Sequence, residues 1–142
     1  MSSPSRSDYG YFTPITTRWA DNDIYGHVNN VVYYAYFDTV ANRFLIEQGG
    51  LDIHQGDIVG FVVNSQCDYF SPVAFPDELE GGFTVNRIGN SSVEYGIGIF
   101  KAGGELPVAA GTFTHVFVRR SDNQSVRIDG LLREALESQS SL

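Results

Sequence analysis

The residues best able to do chemistry lie in one stretch. Arg18 to Asn30 reads RWADNDIYGHVNN and runs directly into VVYYAYFDTVANRFLIE. The first part clusters Asp, Asn and Gly, as a turn requires. The second is an apolar segment entered through Asn29 or Asn30, either of which is a good helix N-cap. Asp23 therefore stands one short turn ahead of a helix N-terminus. Such a terminus presents backbone N–H groups with no partner in the helix and carries a partial positive charge. A carboxylate and a row of N–H donors can thus be aimed at one point. The plainer alternative is that Asp23 only shapes the loop. Asp21 reads as structural, pairing Arg18 or bonding loop N–H groups. Gly26 serves a left-handed backbone or close approach of a substrate. His27 reads as a hydrogen-bond partner that orients or fixes the loop, with contact to substrate as the alternative.

The surrounding elements must position this loop. Residues 1–8 are polar and Ser-rich and suggest a frayed tail, so 1–10 is taken as a flexible N-terminal segment and 11–142 as a single domain. Tyr11 to Trp19 is strand-like, with Ile15, Thr17 and Trp19 on one face, and Pro14 assigns it to a sheet edge or to a later start. The helix is predicted to run to about Gln48, with Gly49 as its left-handed stop. Val31 to Phe37 leave no polar face, which describes a helix enclosed by other structure. Four strand-like stretches follow Leu51 to Asp57, at Ile58–Phe70, Glu78–Arg87, Ser92–Lys101 and Leu106–Arg119. Turn signals separate them, as in an antiparallel sheet. Ile128 to Ser138 suggests a short last helix capped by Asp129. A sheet of this size can curl around one apolar helix, while its far face and edges call for a partner.

Composition narrows the class. The chain has 142 residues, 42% of them hydrophobic, which suits one folded domain. Nine Lys and Arg face seventeen Asp and Glu, a net charge of −8. That balance argues against nucleic acid and against an anionic membrane surface. No apolar run is long enough to span a bilayer and no signal core opens the chain, so the expected location is the cytoplasm. The lone Cys67 fits a reducing compartment and a buried, inert role. His54 and His115 show no metal spacing. Asp21, Asp23 and Gly26 imitate the start of a calcium loop, but Tyr25 and Val32 occupy its fifth and twelfth positions, where oxygen ligands belong. No phosphate loop or nucleophile elbow occurs, and no cofactor is expected.

The loop-helix text R-W-x-D-x-D-x-x-G-H-V-N-N-x-x-Y comprises Arg18, Trp19, Asp21, Asp23, Gly26, His27, Val28, Asn29, Asn30 and Tyr33. It resembles acyl-CoA thioesterases of the 4-hydroxybenzoyl-CoA thioesterase type. Asp68-Tyr69-Phe70-Ser71-Pro72, Phe75 to Leu79 and Ile88 to Ser92 extend the likeness, which covers Thr13 to Val118. The resemblance implies an α+β hotdog fold, an antiparallel sheet wrapped around one long buried helix. It implies hydrolysis of acyl-CoA, with Asp23 as general base or nucleophile and the Asn30 backbone N–H contacting the thioester carbonyl. His27 departs from the apolar residue of the namesake enzyme, and the catalytic His of a neighbouring branch sits at the Asn30 position, so no acid–base role passes to His27. The acyl pocket is expected between the helix and the adjacent sheet across a dimer interface, with Tyr33, Tyr34, Phe37 and Phe61 as candidates to line it and Gly26 to touch the substrate. Arg87, Arg119 and Arg120 are candidates for the coenzyme A phosphates. The implied assembly is a homodimer or homotetramer. The alternatives are a non-catalytic module that binds acyl thioesters, or an enzyme acting on acyl carrier protein.

Overall fold

The computed structural model describes residues 4–140. Its main elements are β1 (Tyr11–Thr16), α1 (Val32–Glu47), β2 (Ile58–Tyr69), β3 (Glu78–Ile88), β4 (Ser92–Lys101), β5 (Ala109–Arg119) and α2 (Gly130–Ser138). The strands form one sheet in the order β1-β3-β4-β5-β2, every neighbouring pair antiparallel. β1, which carries Pro14, is an edge strand, where a missing N–H does least harm. β2 is the other edge. No helix among the described residues is long and apolar enough to cross a membrane.

Helix α1 packs across one face of the sheet. Its buried residues are Tyr33, Tyr36, Phe37, Val40, Ala41, Phe44 and Leu45, the three-and-four spacing that puts side chains on one stripe. They meet Phe83 of β3, Tyr95 and Ile97 of β4, and Phe113 and Phe117 of β5 in one core. Phe44 stacks on Phe83 with ring centres 4.3 Å apart. The helix comes so close at Gly81 that a Cβ there would sit 2.2 Å from Val40 Cγ2.

Several expectations need correction. The helix is not enclosed all round. Val31 is 62% exposed, Ala35 is exposed, and Val32 and Tyr34 are half-buried. One chain covers only the sheet-facing stripe. The left-handed residue that ends α1 is Gly50, at φ 70°, not Gly49. The helix end widens there, with the Gly49 N–H returning five residues to the Phe44 carbonyl that also accepts from the Gln48 N–H. Asp129 does occupy the N-cap of α2, but its side chain makes no capping bond. β1 stops at Thr16, so Thr17 is buried while Trp19 is 76% exposed. Nor do residues 4–10 behave as a frayed tail. Arg6–Asp8 forms a 3-10 turn. The Arg6 guanidinium pairs with Glu80 and lies 4.5 Å over the Phe12 ring. Tyr9 packs against Gly82 and Gly98 and meets Phe12 and Phe100 edge-on. Aromatic rings on the sheet face opposite α1 hold this segment, a contact no local pattern announces. Residues 1–3 lie outside the described residues.

Candidate active site

The chain leaves β1, turns through Trp19–Asp21, and enters a small hairpin before α1. Asp21 anchors the turn. Its carboxylate accepts from the Arg18 N–H at 2.9 Å, the Arg18 Nε–H at 3.1 Å and the Tyr36 hydroxyl at 2.8 Å. Burial pushes this carboxyl up, yet these donors outweigh it and hold its pKa below the ordinary 3.8. The Asp21 carbonyl also accepts from the Asn29 N–H at 2.9 Å, which ties the entry and exit of the loop together.

Between these ends, the Asp23 N–H donates to the His27 carbonyl at 2.9 Å and the Gly26 N–H to the Asp23 carbonyl at 3.1 Å. Gly26 adopts φ 86°, the left-handed conformation the tight reversal requires. Asn22 Oδ1 accepts from the Phe75 N–H, and the Val28 N–H donates to the Val73 carbonyl, so the 73–75 segment buttresses the hairpin. Asp23 Oδ1 accepts from the Tyr25 N–H at 2.9 Å. Asp23 Oδ2 has no partner among the described residues.

The start of α1 differs from the expected cap. Val31 stands at the N-cap and makes no side-chain capping bond. Asn29 sits two residues earlier; its Oδ1 accepts from the Val31 N–H at 3.2 Å and its carbonyl from the Val32 N–H at 2.9 Å. The Asn30 N–H, between these engaged groups, donates to nothing among the described residues. Asn30 helps to line a cavity of about 410 Å³, together with Asp23, Tyr25, His27, Val28, Tyr33, Tyr69 and Pro72. Two residues that keep a carboxylate oxygen and a backbone N–H without partners among the described residues thus line the same space; such a pair can activate an attacking group and bind the oxygen of a carbonyl. On the other side of Asp23, Trp19, Ala20, Asn22, Ile24 and Gly26 line a second concavity of about 510 Å³.

Residues 25–108, more than half of the chain, match the family model of the thioesterase superfamily. The chain belongs to the thioesterase superfamily. The crystal structure of the PA5185 protein from Pseudomonas aeruginosa strain PAO1 is 55% identical, covers 99% of this chain and 98% of that one, and superposes with a TM-score of 0.96. A 1,4-dihydroxy-2-naphthoyl-CoA thioesterase from Synechocystis is 17% identical over 89% of this chain and 94% of its own, with a TM-score of 0.78, and shares the hotdog fold. YsmA of Bacillus subtilis (strain 168) is 25% identical over 88 residues, which is 62% of this chain and 59% of that protein. The chain thus spans little more than half the length of this curated relative.

In this thioesterase-family chain, the other sequence candidates divide. Tyr33 lines the Asp23 cavity. Gly26 borders the second one. The His27 ring is exposed and bonds nothing among the described residues, so the orienting contact expected of it comes from its carbonyl instead. Phe37 is wholly buried in the core, and Tyr34 packs against it. Phe61 pairs with Val116 on the sheet face away from α1 and is 62% exposed, so the chain does not bring it to Asp23. Arg87, on β3, and Arg119, at the end of β5, lie toward the opposite end of the sheet but two strands apart, where Arg87 is opposite Glu94 and Arg119 opposite Ile58. Arg119 contacts Asp57 and Asp122, and Arg120 donates to the Ile53 carbonyl. Cys67 is kept protonated at neutral pH, its pKa raised to about 11 chiefly by burial.

Sequence reasoning overlooked Tyr36, Asn22 and Tyr69. Tyr36 follows Tyr33 by three residues and so shares its helix face, a signal that was available. The Asn22 and Tyr69 contacts join residues 53 and 39 positions apart, and no spacing rule reaches that far.

Proposed function

We propose that the chain hydrolyses acyl-CoA thioesters in the cavity between Asp23 and the Asn30 N–H. The observation that carries this is the pairing of an uncommitted Asp23 oxygen with an uncommitted N–H at the start of α1. The thioester carbonyl oxygen accepts from Asn30, and an N–H donor held ready for a developing oxyanion is worth about 10² to 10³ in rate. Asp23 then acts in one of two ways. It draws a proton from water, whose oxygen adds to the carbonyl carbon, or it attacks that carbon itself to form an anhydride that water cleaves. In either case the carbon–sulfur bond breaks, the electron pair leaves with the coenzyme A thiolate, and the proton released from water returns to the thiolate or to solvent. A thiolate is a good leaving group, so no strong acid is required.

The acyl group enters between Val28, Tyr33, Tyr69 and Pro72. The nucleotide end needs cations, and those of the same protomer stand far away. The twelve residues of β2 span about 36 Å from Ile58 to Tyr69. A second copy resolves this. β2 is an edge strand carrying Phe61, Val62 and Val63 at 62%, 40% and 51% exposure, the kind of edge that pairs with another chain. Antiparallel pairing of β2 with its twofold copy sets Tyr69 of one protomer beside the Ile58 end of the other. Arg119 and Arg120 of one copy then approach the Asp23 cavity of its partner. The net charge of −8 makes an acidic carrier protein the weaker choice of substrate.

The test is thiol release from short, long and aromatic acyl-CoAs, wild type beside Asp23→Asn. Turnover by wild type, with a loss of about 10³ or more in kcat for a folded Asp23→Asn, supports the reading. Equal inactivity of both proteins on every thioester, with saturable binding retained, makes this a binding module.

A further inference from the structure

We propose that Tyr69 positions the oxyanion donor by clamping the turn that carries it; the inference rests on the hydrolase reading above. Tyr69 is the last residue of β2, and its hydroxyl donates to the Asn30 carbonyl at 2.9 Å. That carbonyl belongs to the peptide whose N–H, on Val31, donates to Asn29 Oδ1. The peptide is therefore held at both ends, one end from outside the loop. The preceding peptide, which carries the Asn30 N–H, is held at its carbonyl by the Val32 N–H. Its N–H donates to nothing among the described residues.

The turn needs such a clamp. The N-cap residue Val31 makes no side-chain capping bond, and the helix opens on Val31 and Val32, β-branched residues that favour helix less than most. A donor on an unclamped turn has to be ordered during the reaction, which removes the benefit of holding it ready. Tyr69 is well placed to prevent this. Its ring meets Tyr33 of α1 edge-on at 5.1 Å, so ring and hydroxyl grip the same helix end. Burial, aided by neighbouring Cys67 and Tyr34, raises its pKa, so the hydroxyl remains a donor throughout the working pH range.

Tyr69→Phe keeps the ring and removes only the hydroxyl. The expected result is a fall in kcat of about tenfold, with KM within about twofold and an unchanged melting temperature. In parallel, amide hydrogen exchange at Val31 and Val32 should quicken about tenfold or more while Phe44 and Leu45 are unaffected. Faster exchange with normal kcat overturns the proposal, since the clamp would then be irrelevant to the donor. Slower turnover with unchanged exchange also overturns it, assigning the hydroxyl to direct contact with substrate. Normal values of both do the same. The hydrolase reading fails separately, when wild type and Asp23→Asn are equally inactive, and takes the proposal with it.

Discussion

Asp21 and Asp23 are the same residue type two positions apart, and their surroundings give them opposite work. Asp21 is 1% exposed and holds three donors. Asp23 is half-buried and keeps one oxygen open. Tyr36→Phe leaves a buried carboxylate short of its hydroxyl donor, and a hydrogen bond to a charged group is worth about 1.5–3 kcal/mol. We expect that loss in a urea titration of Tyr36→Phe, whereas Asp23→Asn should leave the urea midpoint nearly unchanged. The depressed pKa of Asp21 adds stability above its unfolded value of 3.8, and that stability is lost only as pH falls through its lower folded value. At this scale the sequence was legible where partners are near in the chain. Arg18 and Asp21 are three apart, and their pairing could be read directly. Tyr36 reaches Asp21 only because α1 folds back over the turn, so that bond appears only in three dimensions.

The elements were legible in kind and order, since alternation, turn residues and helical spacing are local. Their junctions were not. Trp19 reads as a continuation of β1 until the bonds of Asp21 pull the chain into a turn and leave the ring outside. Gly49 and Gly50 are equally good helix stops by type, and helix geometry selects the second. Asn29 and Asn30 offer equal caps, and the chain uses Asn29 for a bond outside the helix. The approach of α1 to the sheet depends on Gly81, whose role no pattern of alternation reveals. A Cβ there would overlap Val40 Cγ2 at 2.2 Å, and overpacking of this kind costs about 1–3 kcal/mol. Gly81→Ala should therefore lower the melting temperature by several degrees, whereas Gly103→Ala, with nothing within 4 Å but φ 78°, should cost only backbone strain. An unchanged melting temperature for Gly81→Ala would mean that helix and sheet do not meet closely at Gly81.

The whole molecule responds to pH and to association. His115 is 1% exposed, within 2.9 Å of the Tyr95 hydroxyl, and burial lowers its pKa from 6.5 to about 4. The unfolded chain takes up this proton near pH 6.5 and the folded chain only near 4, so the unfolded state holds more protons between them. Stability is therefore flat above about pH 6.5 and falls as pH drops toward 4, by about 3 kcal/mol at most. Urea midpoints from pH 7.5 to 4.5 should show this slope, and His115→Gln should flatten it. The proposed pairing of β2 makes a different demand. A twofold axis near the middle of β2 brings Val63 of one protomer close to the partner's copy of the same residue. In a lone chain Val63 is 51% exposed, and changing such a residue costs within about 0.5 kcal/mol. Val63→Asp should then leave the monomer folded while setting two carboxylates against each other across the axis. Light scattering should report a mass of one chain where wild type gives two or a multiple of two. Thiol release should fall mainly through KM, because Arg119 and Arg120 leave the partner's cavity, and the rise of the wild-type KM with added salt should weaken. A wild-type mass of one chain together with full turnover would place the whole site within a single protomer and remove those arginines from it.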